Sequence, residues 1–431
     1  MRRYFPDIDT FRATAQAADV IPVYRQLLAD RLTPVSAFEV LGRDQHAFLL
    51  ESVIGGENIG RHSFIATSPS LVYQVMQGQA AILKRGQRPD EFETTDPLAD
   101  LEKLLPKRRY HHDKHLPAFT GGLVGYAGYD TIRYYESEKL PAAPKDDRRL
   151  PDLSFGLYGE LVIFDHVDKT IKVVANAELK GQGARGEGQV EAAYRDACAR
   201  IDQIVQRLQQ PPQSSLGEID PRAPLTLAFS SNMTREQYED AVRKGQEYIK
   251  AGDIFQFVPS QRLRVQSTAD PFDVYRALRI INPSPFMFYL KSPACTLIGS
   301  SPEILCRVEG RTVTSRPLAG TRKRGATVEE DKALEKELLA DPKERAEHIM
   351  LVDLHRNDVG RVSKVGSVKI SDVMTVERYS HVMHITTNVT GKLAEGKTAF
   401  DALRVSLPVG TVSGAPKIRA MQVSMLPAKS R

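Results

Sequence analysis

After Pro342 the chain reads "KERAEHIMLVDLHRND", which sets Glu344, Glu347, His348 and Leu351 at i, i+3, i+4 and i+7. On a helix these four share one face. Two carboxylates on a stripe with apolar residues are costly to bury unpaired. A hard cation such as Mg²⁺ is one remedy, because it takes carboxylate oxygens and keeps waters that a substrate carboxylate can replace. The same spacing also describes a solvated face with salt bridges to Lys343 and Arg345, a common and weakly stabilising arrangement.

Two glycine turns could bind an anion. "VGTVSGAPKIRAM" puts Gly410, Ser413 and Gly414 ahead of a helix holding Lys417 and Arg419, and free backbone N–H groups at a helix start suit negative charge. A plain helix cap uses the same residues. "RPLAGTRKRG" offers Gly320 for close backbone approach and Thr321 for a hydroxyl; a hairpin with solvated cations reads the same way. His384 in "SHVMHITTNV" alternates with apolar residues, as a hydrogen-bonded core histidine on a strand would. Together these residues outline a metal-assisted site for a small polyanion.

These groups need elements to position them. "DP" at Asp341–Pro342 starts a helix that carries the carboxylates, and strand signal fills 286–324 and "RYSHVMHITTNVTG". Thr234 and Gln237 form a capping box that opens a helix ending at Gly252. The segment 188–209 reads as a long amphipathic helix, 12–30 as a helix, and "TPVSAFEVLG" and "HAFLLESVIGG" as paired strands. "PPQSSLGEIDPRAP" (211–224) reads as a linker, so the expected domains are 1–215 and 225–431. Clustered strands and helices predict an α+β fold of mainly antiparallel sheets with packed helices.

Composition narrows the function. The chain has 431 residues, 41% hydrophobic and 26% charged, as a globular protein of more than one domain, or of one large interleaved domain, would. Its 59 Lys+Arg against 54 Asp+Glu leave a formal charge of +5, with basic stretches short and scattered. That admits acidic small substrates and argues against nucleic acid. Cys198, Cys295 and Cys306 show no C-x-x-C spacing, which fits a reducing, cytoplasmic compartment. No apolar run follows the basic start, and no window suggests a membrane span.

From about Phe5 to Met421 the chain resembles the large, chorismate-utilising subunit of anthranilate synthase. The resemblance rests on "LLESVIGGENIGRHSFI", "AGDIFQFVPSQR", "INPSPFMFYL", "IGSSPEIL", "RPLAGTRKRG", "DPKERAEHIMLVDLHRNDVGRV", "ERYSHVMHITTNV" and "GTVSGAPKIRAM". It implies the chorismate-utilising enzyme fold and the conversion of chorismate and ammonia to anthranilate and pyruvate. It also implies Mg²⁺ on the ring carboxylate, ammonia from a separate glutamine amidotransferase subunit in a hetero-oligomer, and feedback inhibition by tryptophan.

Carried onto this sequence, the resemblance implies that Glu347 is a Mg²⁺ ligand with Glu344 beside it. His384 is the histidine near the leaving hydroxyl. Thr321, Gly320, Ser413 and Gly414 are substrate-contact turns. Gln256 stands where water-using relatives place a lysine base, which favours ammonia as nucleophile. Leu49, Leu50, Glu51 and Ser52, with Asn282, Pro283, Ser284, Pro285, Phe286 and Met287, resemble the tryptophan site. The region 1–215 would thus hold tryptophan-binding and partner-binding elements, and 225–431 the catalytic domain.

After "KIRAMQ" the family adds strands and a helix, whereas this sequence reads "VSMLPAKSR". The expectation is a shortened or aberrant C-terminus and low activity. Two alternatives stand beside this reading. One is aminodeoxychorismate synthase component I, whose motif has lysine where this chain has Ala319. The other is a catalytically dead fragment that binds only tryptophan or the glutaminase.

Overall fold

The computed structural model describes residues 4–53, 60–105, 108–140, 143, 146–179, 186–211, 218, 220, 227–379, 381–408 and 410–425. Contacts divide the chain into two units, each assembled from separated segments. The first holds Met1–Ala127, Leu150–Pro221 and Ala269–Pro302; the second holds Gly128–Arg149, Arg222–Thr268 and Glu303–Arg431. This corrects the expected division into 1–215 and 225–431. The cause is strand pairing: Phe286–Lys291 joins Ala47–Glu51, with Met287 opposite Glu51. Most of the expected linker, and the terminal residues 426–431, lie outside the described residues.

The first unit has a seven-stranded sheet. Its order is Val20–Leu28, Thr170–Glu178, Glu160–Asp165, His62–Thr67, Ala47–Glu51, Phe286–Lys291, Thr296–Ser301. A five-stranded sheet runs Asp90–Glu93, Gln79–Lys84, Leu71–Met76, Leu153–Tyr158, Gly122–Ala127. The helix Glu187–Leu208 buries Val190, Ala197, Ile201 and Val205 in one core with Ile171, Val173 and Ala175. Each fully buried Val or Ile side chain there contributes roughly 1.5–3 kcal/mol.

Two expectations in this unit are corrected. Residues 20–28 form a strand, paired along its length with Thr170–Glu178, because tertiary pairing overrides a weak helical pattern. Residues 34–41 form a helix. Thr33 caps it in a capping box with Ser36, and Pro34 suits the first turn.

In the second unit the strand Val382–Lys392 is central. Thr312–Ser315 and Leu318–Lys323 pair along one edge, and Lys369–Arg378 along the other. The helix Pro342–Gly360 packs on Leu318–Lys323 and Val382–Lys392. Val313, Val359, Val362, Val389, Leu393 and Ala402 form one core cluster, and Leu338, Met383 and Ile385 another. Strand pairs in both units are antiparallel among the described residues, as the α+β reading predicts.

Candidate active site

The eight residues singled out for chemistry all lie in the second unit, and the fold brings them together. Asp341 caps the helix Pro342–Gly360 by accepting from the N–H groups of Lys343 and Glu344. That cap, with Pro342 in the first turn, fixes where Glu344 and Glu347 point. The predicted helix face is divided. His348 and Leu351 are buried, while Glu344 and Glu347 are half-buried at its margin.

Helix-local salt bridges are not what engages these carboxylates. Arg345 reaches the Leu339 carbonyl instead. Glu344 faces Arg322 across 3.6 Å. Glu347 Oε1 lies 3.4 Å from the amide nitrogen of Gln256, a long and weak contact.

Gln256 is set by a close backbone approach. The strand Gln256–Phe257 pairs with Gly414–Ala415. Gly414 has a φ of +128°, and a Cβ there would stand 2.2 Å from the Gln256 carbonyl oxygen. Only glycine fits such a contact. Ser413 and Gly414 are therefore held beside Gln256, and through it beside Glu347. Ser413 is buried, and its Oγ shares a 2.7 Å hydrogen bond with the Tyr129 hydroxyl. Burial pushes the Tyr129 pKa up, so the phenol keeps its proton.

A second group forms across the central ladder. The pairing of Leu318–Lys323 with Val382–Lys392 shifts between Ala319 and Thr321, at Gly320, whose φ is +68°. Thr321 then lies opposite His384. His384 Nδ1 is 3.0 Å from the Gly320 carbonyl oxygen and 3.2 Å from Thr321 Oγ1. The Tyr379 ring packs edge-on to the imidazole with centroids 5.5 Å apart. A Cβ on Gly320 would stand 3.3 Å from Glu344 Oε2, so the histidine group adjoins the carboxylate helix.

Glu303, inside "IGSSPEIL", is not singled out by the sequence alone. Burial raises its pKa, and a hydrogen bond from the Leu318 backbone opposes that shift. A raised pKa makes a carboxyl a readier proton donor. Tyr129 and Tyr379 were also missed, since only tertiary structure brings them to Ser413 and His384. The one sequence signal for Glu303 was an acidic residue among apolar ones.

The donor set suits a hard cation. Glu344 and Glu347 supply carboxylates, and the buried Gln256 Oε1 has no hydrogen-bond partner among the described residues. No cluster of three or more His, Cys, Asp or Glu able to hold a metal is found among the described residues. Mg²⁺ does not need one, since it commonly takes one or two carboxylates and completes its shell with water and substrate oxygens.

The residues expected to bind tryptophan lie in the first unit. The register sets Leu50 opposite Phe288 and Glu51 opposite Met287, so "LLES" and "NPSPFM" are neighbours. Glu51 is buried; it accepts from the Tyr275 hydroxyl at 2.7 Å and from Arg279 Nε at 3.1 Å. The Val53 N–H donates to the Ser284 carbonyl, and Ser300 Oγ donates to the Asn282 carbonyl. Pro283, Pro285 and Phe286 continue that turn, with Pro285 buried and Phe286 exposed. The Oγ atoms of Ser52 and Ser284 are buried without a hydrogen-bond partner among the described residues.

Comparison with known proteins accords with this geometry. The family model described as chorismate binding enzyme matches residues 45–424. Anthranilate synthase component 1 of Acetivibrio thermocellus is 45% identical over 97% of this chain and 84% of its own length. The chain belongs to the anthranilate synthase component 1 family. The chloroplastic alpha subunit 1 of anthranilate synthase from Arabidopsis thaliana is 44% identical over 95% of the chain and 71% of its own length. Among solved structures, anthranilate synthase component I from Streptococcus pneumoniae TIGR4 superposes with a TM-score of 0.72 at 36% identity, covering 92% of this chain and 83% of that one. The chain thus shares the anthranilate synthase component I fold, and the relatives favour that family over the aminodeoxychorismate alternative.

Proposed function

We propose that this chain converts chorismate and ammonia to anthranilate, pyruvate and water. Its proposed setting is the first step of tryptophan biosynthesis in the cytoplasm, with ammonia released from glutamine by a separate amidotransferase subunit and tryptophan as inhibitor. No helix among the described residues is long and apolar enough to cross a membrane.

The observation that carries the reading is the convergence of Glu344, Glu347 and Gln256 with the Ser413–Gly414 turn and the Thr321–His384 pair. In this reading Glu344 and Glu347 hold Mg²⁺, which when bound neutralises the ring carboxylate and draws electron density from the ring. Ser413 and the Gly414 backbone orient the substrate. Thr321 and His384 face the 4-hydroxyl that departs as ammonia adds to the ring. Burial raises the Glu303 pKa, a shift in the direction a proton donor needs. Gln256 cannot deprotonate water, so no hydroxide competes with the amine. Loss of the enolpyruvyl side chain as pyruvate then restores aromaticity.

The test is to incubate the chain with chorismate, MgCl₂ and ammonium salt near pH 8 and separate the products. Fluorescent anthranilate together with pyruvate is expected. Isochorismate or aminodeoxychorismate as the sole product would overturn the assignment.

A further inference from the structure

A buried ion pair lies away from the proposed reacting groups. Lys417 Nζ is 2.9 Å from Asp358 Oδ2 and 2.8 Å from the Val405 carbonyl oxygen. Both charged side chains are only 10% exposed. Three helices meet at this ammonium. Asp358 lies in the last turns of Pro342–Gly360, Val405 is near the end of Ala399–Ser406, and Lys417 opens Lys417–Met425.

A buried pair of this kind is weak evidence for stability. Desolvation offsets most of the attraction, and apolar residues of similar volume often replace such pairs without loss. What apolar residues do not replace is direction. Lys417 follows Gly414 by three positions, and the turn between them is tied to Gln256 from both sides. Phe255 N–H donates to the Ala415 carbonyl at 2.7 Å, and Val258 N–H donates to the Ser413 carbonyl at 3.1 Å. A shift of Lys417 therefore moves the Ser413–Gly414 turn, then Gln256, then its contact with Glu347.

We propose that Lys417 and Asp358 are positioning residues whose buried bond sets the Ser413–Gly414 turn in register with the helix that carries Glu344 and Glu347. This rests on the proposed function for its kinetic consequence, though not for its structural one.

The test uses the full chain in three forms: wild type, Asp358→Asn, and the double variant Asp358→Leu with Lys417→Met. Three quantities are measured: urea midpoint, hydrogen exchange at the Phe255 and Val258 amides, and kcat and KM for chorismate. The double variant is expected to unfold near the wild-type midpoint. Its two amides should exchange on the order of tenfold faster, since local opening is decoupled from global unfolding. Its kcat/KM should fall on the order of 10²-fold, as misplacement by about 1 Å can cost that much. Asp358→Asn keeps an oxygen for Lys417 but leaves its ammonium without a countercharge, so its urea midpoint should fall below that of both wild type and the double variant.

Wild-type exchange at both amides in the double variant overturns the proposal. If the double variant does not fold, Lys417→Arg takes its place. The larger, planar guanidinium does not fit a buried space shaped for an ammonium and aims its donors in one fixed plane, so faster exchange is again expected and wild-type exchange again overturns it. Absence of anthranilate from the wild-type chain would sink the functional reading alone, and the exchange data would still decide the pair.

Discussion

His384 Nδ1 points at the carbonyl oxygen of Gly320, 3.0 Å away. A carbonyl only accepts, so Nδ1 carries the hydrogen and Nε2 is the nitrogen left for a ligand. One main-chain contact therefore fixes both the tautomer and the aim of the ring. Replacing His384 by Ala should lower kcat by roughly 10²–10⁴-fold, the range for a positioned proton-transfer group. KM for chorismate should change little. A variant that keeps wild-type kcat in steady-state assays would remove His384 from the chemistry.

Glu347 is the carboxylate nearest Gln256, and Glu344 already shares its charge with Arg322. Glu347→Gln should therefore weaken Mg²⁺ binding more than Glu344→Gln, by about tenfold or more for a lost charged ligand. Calorimetric titration of Mg²⁺ in the presence of chorismate reads this directly. Equal Mg²⁺ affinity in wild type and Glu347→Gln would place the metal elsewhere.

Gly320→Ala tests the ladder irregularity. The added Cβ meets Leu338 Cδ1 at 3.1 Å and Ile385 Cδ1 at 3.2 Å, on a backbone with φ +68°. The left-handed conformation alone costs about 1–2 kcal/mol for a residue with a Cβ. A loss of at least that size is expected in urea unfolding. An unchanged midpoint would mean the strand relaxes without penalty.

Ser52 and Ser284 each bury a hydroxyl with no hydrogen-bond partner among the described residues, and both lie in the segments proposed to hold tryptophan. An unsatisfied buried hydroxyl costs about 1–3 kcal/mol, which a ligand's polar end could recover. Wild type should bind tryptophan in calorimetry, and Ser52→Arg should abolish the signal while the far-ultraviolet circular dichroism stays the same. Undiminished binding by Ser52→Arg would move the inhibitor site away from these segments.

Burial lowers the pKa of both His348 and His355 from 6.5 to about 4. Each takes up a proton less readily folded than unfolded. Their contribution to stability is thus complete above about pH 6.5 and is lost as pH falls towards 4. Asp19 and Asp165, held near 2 by arginine partners, weaken the fold only below their ordinary 3.8. Asp358 and Glu303, raised by burial, act in the opposite sense. Urea midpoints should therefore fall between pH 7 and pH 5, and the double variant His348→Gln with His355→Gln should flatten that slope. An identical slope in the variant would assign the effect to other groups.

Much of the site was legible because its signals are local. Asp341–Pro342 announces a helix start, the spacing of Glu344 and Glu347 follows from the helical repeat, and Gly320 and Gly414 stand where the backbone needs glycine. Glu303 and Tyr129 were not legible, since nothing beside them in the chain says what they will meet. The strand at 20–28 and the helix at 34–41 were exchanged for a related reason. Pairing with Thr170–Glu178 decides the first, and a cap formed by Thr33 and Ser36 decides the second. The expected salt bridges to Lys343 and Arg345 gave way to Arg322 and Gln256, which reach the helix from distant segments.

The strand Ala47–Glu51 gains its second neighbour only from Phe286–Lys291. On the ribosome that partner emerges 235 residues after Glu51 (286 minus 51). At about 5–20 residues per second the wait is roughly 12–47 s. Throughout it an apolar strand presents unpaired N–H and C=O groups, an invitation to pair with another chain. Production of this protein should thus depend on elongation speed and on chaperones that shield a half-finished sheet.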